Sequence, residues 1–515
     1  MTRLATNDGK RYRYSTLLTS STRSPYGACR IRKNKAPMNI VTPFFQQCAQ
    51  SPEAMAFVEE DQVLTYADFK LRIEKIAAFL QAKQVQNQCI AIVLDRGINA
   101  ASAIYGILSA GAIYLPLDIK NPATRLNFII QDAQPSYIIG QGNAPAWLGK
   151  SELWLDIDTL LCTSAENITL PAVEPNALAA ILYTSGSTGN PKGVALSHQA
   201  LSNFSTWASQ TFAINNQDRI ASLAPFHFDL SIFDLFTSLA SGATVYFLPS
   251  RLSLSPSRLT AWLAEKQISS WYTVPSLLSF IALKGALNST PLPHLKRILF
   301  AGEVFPTQHL IKLANLLPET KLYNLYGPTE TNVCCYWQVD QKRLNIGHTI
   351  PIGGAACNAE LTINADTGEL QVNSLNNFSG YWQQGKLQAL SPETYPTGDK
   401  VSLNQYGEYD YHGRLDRMLK CSGYRVEPAE IEQCINQLEY IESSAVIGIK
   451  DTTSGQRPAA VVVLVTGASL AEAIKPLRPL LAPYMQPCKF IVVDNLPALS
   501  NGKTDYQAIQ NLFNN

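Results

Sequence analysis

From residue 64 onward, short β-rich runs alternate with segments whose apolar positions recur at helical spacing. Cys89-Ile90-Ala91-Ile92-Val93-Leu94 precedes the helical pattern Ala100 to Ala110, and a second helical pattern, Ala123 to Gln131, leads into Tyr137-Ile138-Ile139-Gly140. Further strands are predicted at Ala180-Ile181-Leu182-Tyr183, Thr244-Val245-Tyr246-Phe247, Arg297-Ile298-Leu299-Phe300 and Lys321-Leu322-Tyr323. Strands alternating with helices predict an α/β class with largely parallel sheets. Near residue 360 the pattern changes to hairpins with glycine turns, such as Gly368-Glu369-Leu370-Gln371-Val372 and Tyr406-Gly407-Glu408-Tyr409, which predicts a β-rich subdomain. After Gly413-Arg414-Leu415-Asp416, a helix is expected over Pro428 to Leu438, strands over Ser444 to Ile449 and Pro458 to Val465, and a helix near Ala471 to Leu481. The expected organisation is a large N-terminal unit over residues 38–415 and a small α+β unit over 416–515.

The length of 515 residues exceeds what one growing core serves, in keeping with several structural units. With 41 Lys+Arg against 40 Asp+Glu, the net charge of +1 exerts no global pull on nucleic acid or an anionic membrane. One asymmetry changes that picture locally. Residues 1–37 carry nine basic residues (Arg3, Lys10, Arg11, Arg13, Arg23, Arg30, Arg32, Lys33 and Lys35) and one acid, Asp8, without apolar periodicity. This segment reads as a disordered basic extension, or as sequence upstream of a true start at Met38. Ten cysteines include no C-x-x-C pair and the six histidines are scattered, so neither a zinc site nor a disulfide framework is signalled. With no run of eighteen apolar residues, a soluble cytoplasmic protein is expected.

The most informative stretch is Tyr183-Thr184-Ser185-Gly186-Ser187-Thr188-Gly189-Asn190-Pro191-Lys192-Gly193-Val194, directly after an apolar strand. Its glycines remove bulk, its hydroxyls and backbone N–H groups donate, and Lys192 adds a cation, as a loop wrapping polyphosphate requires. It is not the G-x-x-x-x-G-K-[ST] loop, because Pro191 precedes the lysine and Gly193 follows it.

With Leu64-Thr65-Tyr66, Gly111-Ala112-Ile113-Tyr114-Leu115-Pro116-Leu117-Asp118, Asn324-Leu325-Tyr326-Gly327-Pro328-Thr329-Glu330, Tyr395-Pro396-Thr397-Gly398-Asp399, Gly413-Arg414-Leu415-Asp416 and Asn501-Gly502-Lys503, this order of motifs resembles the adenylate-forming superfamily. That superfamily holds acyl-CoA synthetases, luciferases and the adenylation domains of nonribosomal peptide synthesis, and the resemblance runs from about residue 40 to 515. It implies ATP as cosubstrate, a mobile C-terminal domain and an active site between the two units. Tyr326 is suited to stack on adenine and Asn324 to pair with its exocyclic amine. Thr329 offers a hydroxyl to the α-phosphate, and Glu330 a hard oxygen ligand to Mg²⁺. Asp399 and Arg414 suit the ribose hydroxyls; Gly302, Glu303 and Gly327 complete the implied nucleotide site. Lys503 matches the lysine that bridges substrate carboxylate and phosphate. Asp416 matches the hinge, and Gly423 the path of an incoming thiol. Pro396 departs from the family pattern, where arginine is common.

Ala224-Pro225-Phe226-His227-Phe228-Asp229 aligns with the segment where enzymes for α-amino acids place an aspartate. A carboxylate beside apolar residues is costly unless it meets a cation, so Asp229 points to a substrate ammonium group. The remaining pocket, carried over by resemblance, is Leu230, Phe233, Leu277, Leu299, Ala301, Leu325, Val333 and Cys334, with Tyr272 the rival to Leu277. This apolar set is similar to that of stand-alone L-proline-adenylating enzymes of pyrrole- or anatoxin-type natural-product pathways. The resemblance therefore implies a monomeric ligase that forms prolyl-AMP and loads a free-standing phosphopantetheinylated carrier protein. The alternatives are another small amino acid such as D-alanine, an acyl- or aryl-CoA ligase, and a noncatalytic nucleotide-binding regulator.

Overall fold

The computed structural model describes residues 39–149, 151–164, 168–186, 189–390, 394–451, 455–498 and 504–514. The basic segment 1–37 and Met38 therefore lie outside the described residues. Two sheets form the body of the chain. In the larger, nine-stranded sheet, the strands Lys321–Tyr326, Arg297–Phe300, Ser270–Thr273, Arg219–Ser222, Thr244–Phe247 and Met55–Glu59 lie side by side and parallel. In the eight-stranded sheet, Leu178–Thr184, Ile113–Pro116, Cys89–Val93, Tyr137–Gly140 and Trp154–Asp156 are the parallel set.

One hydrophobic core takes residues from both sheets, including Phe57, Tyr272 and Leu299 from the first and Ile90, Tyr114 and Leu182 from the second. The helices Tyr66–Ala82 and Ile98–Ser109 contribute to it heavily. The first starts at a capping box in which Thr65 and Asp68 satisfy each other's backbone N–H groups. The second is buried at every position but Asn99, as its apolar sequence on all faces requires. Tyr66 and Tyr105 anchor both helices by donating hydroxyls to the carbonyls of Leu239, Ala243 and Leu235.

The β-rich region beyond residue 360 divides between two sheets. Glu360–Ile363, Glu369–Asn373, Tyr395–Leu403 and Tyr409–Arg414 form a four-stranded antiparallel sheet. Gly380–Gln383 instead extends the eight-stranded sheet by pairing antiparallel to Lys192–Ser197, and Lys386–Ala389 pairs antiparallel to Gly380–Gln383 at its edge. The indole of Trp382 explains the diversion: it is buried there and donates to the carbonyl of Ala133 at 3.0 Å.

From Leu419 a separate sheet begins, built on the long hairpin Ile441–Asp451 and Gly455–Leu464. Its alternating side chains serve two small cores. Val446, Ala460 and Val462 pack with Ile431 and Ile435 of the helix Pro428–Ile435, while Ala445, Ile447 and Val461 pack with Ile509 of the helix Tyr506–Asn514. The single helix expected near Ala471 to Leu481 is broken: an α-helix spans only Leu470–Ile474 and passes into a 3₁₀ turn, Lys475–Leu477. Pro476 and Pro479 lack the N–H that an α-helix interior needs. Among the described residues no helix is long and apolar enough to cross a membrane.

Candidate active site

Parallel strands in open α/β sheets deliver their following loops to one edge, where ligands bind. Here Arg219–Ser222 leads to Phe226–Asp229, Arg297–Phe300 to Ala301–Glu303, and Lys321–Tyr326 to Gly327–Glu330, while Leu178–Thr184 of the second sheet carries the Gly/Ser loop. A cavity opens where these loops meet. Thr184, Ser185, Asp229, Leu230, Tyr272, Ala301, Gly302, Gly327, Thr329, Val333, Asp399, Arg414 and Gly423 all line it.

At the apolar end, burial pushes the Asp229 carboxyl up to about 6, against a hydrogen bond from the Thr329 hydroxyl and with Glu330 adding to the rise. Leu230, Tyr272, Ala301 and Val333 form the neighbouring wall. Phe233, Leu299, Leu325 and Cys334 are buried behind it, with Phe233 meeting Tyr272 edge-on at 5.8 Å between ring centroids. Leu277 does not line the cavity. It sits on the helix Pro275–Lys284 and packs against the hydrophobic cluster that holds Trp271, Ile298 and Phe300, whereas Tyr272 and Leu299 belong to the other core. Side chains alternate along a strand, so Tyr272 on Ser270–Thr273 faces the cavity where the helix residue cannot.

Elsewhere on the cavity lining, Asp399 and Arg414 are cross-strand partners, and the guanidinium Nη1 donates to Asp399 Oδ1 at 3.1 Å. The Tyr326 hydroxyl donates to Asp399 Oδ2 at 2.5 Å. Arg414 also binds both oxygens of Asp416, at 2.8 and 2.5 Å; burial opposes that carboxylate's charge, yet the guanidinium keeps its pKa below the ordinary value. Asn324 Nδ2 donates to the Pro351 carbonyl, which fixes the orientation of its amide. Gly302, Glu303, Asn324, Tyr326 and Gly327 line an adjoining cavity, over which Lys420 Nζ stands 5.5 Å from the Tyr326 ring. Burial pushes the Glu303 carboxyl up to about 7, although the backbone N–H of Ser276 donates to it at 2.7 Å.

The Gly/Ser loop connects Leu178–Thr184 to Lys192–Ser197. Gly186 permits tight closure: a Cβ there would stand 2.1 Å from the Asn190 carbonyl oxygen. Ser187 and Thr188 lie outside the described residues, as does Lys503. Lys192 Nζ reaches Glu330 Oε1 at 3.3 Å and donates to the Tyr381 hydroxyl at 2.8 Å. Glu330 is wholly buried. Burial alone would raise its pKa, but Arg425 and Lys192 hold it down to about 2.

Arg425 was not singled out from the sequence, although it follows Gly423 by two residues. Its Nη1 binds both Glu330 oxygens at 3.1 and 2.9 Å, and its carbonyl accepts from Ser185 Oγ at 2.7 Å. With Arg425 and Lys192 against its oxygens and the Tyr381 hydroxyl donating to Oε1, the Glu330 charge is already met by two cations, which would repel a divalent cation placed there. This arrangement of Glu330 therefore does not fit Mg²⁺. Gly423, at φ +82°, packs so closely that a Cβ would stand 2.6 Å from Val274 Cγ1. Beside it Tyr424 stacks on Tyr484 at 3.7 Å, and Phe228 meets Tyr424 edge-on at 4.7 Å. Arg125 and Glu430, both largely buried, form an ion pair nearby between the two units.

Residues 44–382 match the AMP-binding enzyme family and residues 430–503 the AMP-binding enzyme C-terminal domain. The chain belongs to the AMP-binding enzyme family. Among its relatives is an L-proline--[L-prolyl-carrier protein] ligase of Streptomyces coelicolor, 36% identical with 90% of this chain and 94% of the relative covered. A ligase of the same name from Pseudomonas fluorescens is 33% identical, with 90% and 96% covered. The fold matches o-succinylbenzoate CoA synthetase of Bacillus subtilis with a TM-score of 0.80 at 23% identity, covering 92% of this chain and 98% of that one. It also matches PA1221, a protein containing adenylation and carrier domains, with a TM-score of 0.79 at 22% identity, covering 93% and 84%.

Proposed function

We propose that this protein activates L-proline with ATP and transfers the prolyl group to the phosphopantetheine thiol of a free-standing carrier protein. The observation that carries this reading is Asp229, a carboxylate raised to about 6 by burial in an otherwise apolar wall. A secondary ammonium relieves that unpaired charge, and three methylenes fit against Leu230, Ala301 and Val333. The names of the two ligase relatives support the same substrate and partner.

In the first half-reaction, a proline carboxylate oxygen attacks the α-phosphorus, the bond to pyrophosphate breaks, and prolyl-AMP forms. The Gly/Ser loop and Lys192 receive the phosphates, Tyr326 and Asn324 the adenine, and Asp399 with Arg414 the ribose. Thr329 meets the α-phosphate and Lys503 the developing negative charge. Mg²⁺ belongs to this proposal as the companion of ATP, with Glu330 its candidate ligand only after Arg425 has withdrawn. In the second half-reaction, the thiol sulfur attacks the prolyl carbonyl carbon, AMP leaves with the bonding electrons, and the thiol proton passes to solvent. Rotation of residues 416–515 about Asp416 separates the two. The contacts of Gly423, Tyr424 and Arg425 with the cavity support assigning the present arrangement to thiol transfer.

The test is amino-acid-dependent exchange of pyrophosphate into ATP, run over the proteinogenic amino acids, D-alanine and simple carboxylic acids. L-Proline should dominate, with close homologues reacting within the roughly 10–200-fold that one methylene can discriminate. Preference for another amino acid or for an acid without an amine overturns the assignment.

A further inference from the structure

The ion pair of Arg125 and Glu430 has been given no part in the chemistry, yet it joins the two units. Arg125 stands near the start of the helix Ala123–Ala133 of the large unit, and Glu430 near the start of the helix Pro428–Ile435 of the small unit. Their side chains are only 11% and 7% exposed, so both charges are withdrawn from water. Among the described residues neither forms another ion pair, and Arg125 Nε and Glu430 Oε2 have no hydrogen-bond partner. Each charge is therefore compensated by the other. Removing one partner of a buried pair strands the remaining charge, which costs far more than the intact pair contributes.

The helix bearing Glu430 also rests on the Gly/Ser loop. A Cβ on Gly189, itself at φ +86°, would stand 2.2 Å from Gln433 Oε1 and 3.3 Å from the Ala429 carbonyl oxygen. Glu430 and Gln433 are three positions apart and so share one face of the helix. Just ahead of it, the Arg425 carbonyl accepts from Ser185 Oγ at 2.7 Å. One helix face thus meets both Arg125 and the loop that receives phosphate in the proposed reaction. These contacts hold only while the helix stays in this position, and a slide of one turn, about 5.4 Å, would leave two buried charges unpaired.

We propose that Arg125 and Glu430 are positioning residues for the second half-reaction: the pair fixes the register in which the small unit docks for thiol transfer, and it is broken, with both charges returned to water, in the arrangement for adenylation. This rests on the reading that the present arrangement serves transfer and that residues 416–515 rotate away from it. Because a solvated pair contributes little, the pair acts on one arrangement alone. It acts through the position of Gly423, Tyr424 and Arg425, which the same unit carries to the cavity.

The experiment compares the two half-reactions in Glu430→Gln, Arg125→Gln and the double variant, using whichever amino acid supports pyrophosphate exchange and pantetheine as the thiol, so that failure of the proline or carrier assignment leaves it intact. Each single variant should slow transfer from supplied aminoacyl adenylate at least about tenfold, because it strands a charge in the docked arrangement. The double variant strands none and should recover most of that loss. Pyrophosphate exchange should stay largely unchanged in Glu430→Gln, which also reports its folding. Lys503→Ala in the same assays tests the underlying reading separately: equal losses there refute the two arrangements, whereas split losses there with unchanged transfer in Glu430→Gln refute only the pairing. Losses that add in the double variant, or that strike both half-reactions equally in the single ones, would overturn the proposal. Arg125 also lines the cavity, so a loss of exchange confined to the variants that lack it would overturn the proposal as well, placing Arg125 on the bound substrate.

Discussion

Replacing Asp229 by Asn removes a charge while keeping the shape of the side chain, and the structure sets the size of the effect. Moving a carboxyl from 3.8 to about 6 corresponds to ~3 kcal/mol of disfavoured ionisation in the empty pocket. A substrate ammonium that neutralises the carboxylate recovers an energy of that order, and its loss in the variant should lower kcat/KM for proline by about 10²–10³. The pH dependence follows with a definite sign. Below about 6 the free enzyme holds Asp229 protonated, and the ammonium finds no anion, so kcat/KM for proline should fall tenfold per pH unit. kcat should stay flat there, because the bound ammonium keeps the carboxylate ionised. Stability moves the other way. The folded state binds this proton more tightly than the unfolded chain, so the contribution of Asp229 is least favourable above pH 6 and improves as the pH falls towards 4. Asp229→Asn should therefore be more stable than the native protein at pH 7, and the gap should close by pH 4. Pyrophosphate exchange at saturating ATP between pH 5 and 8, with urea unfolding over the same range, measures both. A native enzyme whose kcat/KM keeps the pH profile of the variant would refute the pairing, as would a variant less stable at pH 7.

Arg425→Ala leaves the wholly buried Glu330 with Lys192 and Tyr381 as partners. Quenched-flow measurement should show thiol transfer from supplied prolyl-AMP falling at least tenfold, with pyrophosphate exchange largely kept; the reverse pattern would place Arg425 in the adenylation arrangement. Lys503→Ala should cut prolyl-AMP formation by about 10²–10³ and spare transfer from supplied prolyl-AMP, and equal losses in the two assays would contradict the division of labour. Gly423→Leu should do the opposite, since its Cβ meets Val274 and φ +82° costs a side chain ~1–2 kcal/mol; carrier loading and exchange, measured side by side, decide. Removing residues 1–37 should leave exchange activity and the melting temperature unchanged, and loss of soluble protein would show that this segment packs on the body.

The alternation of apolar runs with helical patterns placed six of the parallel strands, because a strand buried by helices must be apolar whatever it neighbours, but it did not mark Met55–Glu59, Ile113–Pro116, Trp154–Asp156, Arg219–Ser222 or Ser270–Thr273 as strands. Loop chemistry was equally local: Thr184, Gly186 and Lys192, or Asp399 and Arg414, are recognisable by residue type and spacing, and the fold brings Thr184, Asp399 and Arg414 to one cavity while Lys192 reaches Glu330. The broken helix at Lys475–Leu477 was also within reach of the sequence, since Pro476 forbids what the apolar periodicity suggested. Facing and cross-unit contact were not. Tyr272 and Leu277 are both apolar enough to line a pocket, and only the strand's placement in the larger sheet turns one to the cavity and the helix carries the other away. Gly380–Gln383 falls in the stretch expected as a β-rich subdomain, and the burial of Trp382 beside Ala133 accompanies its pairing with the other sheet. The occupation of Glu330 by Arg425 joins residues 95 apart through docking of one unit on the other. Such pairing depends on which surfaces meet, a property of the assembled chain that no window of residues contains.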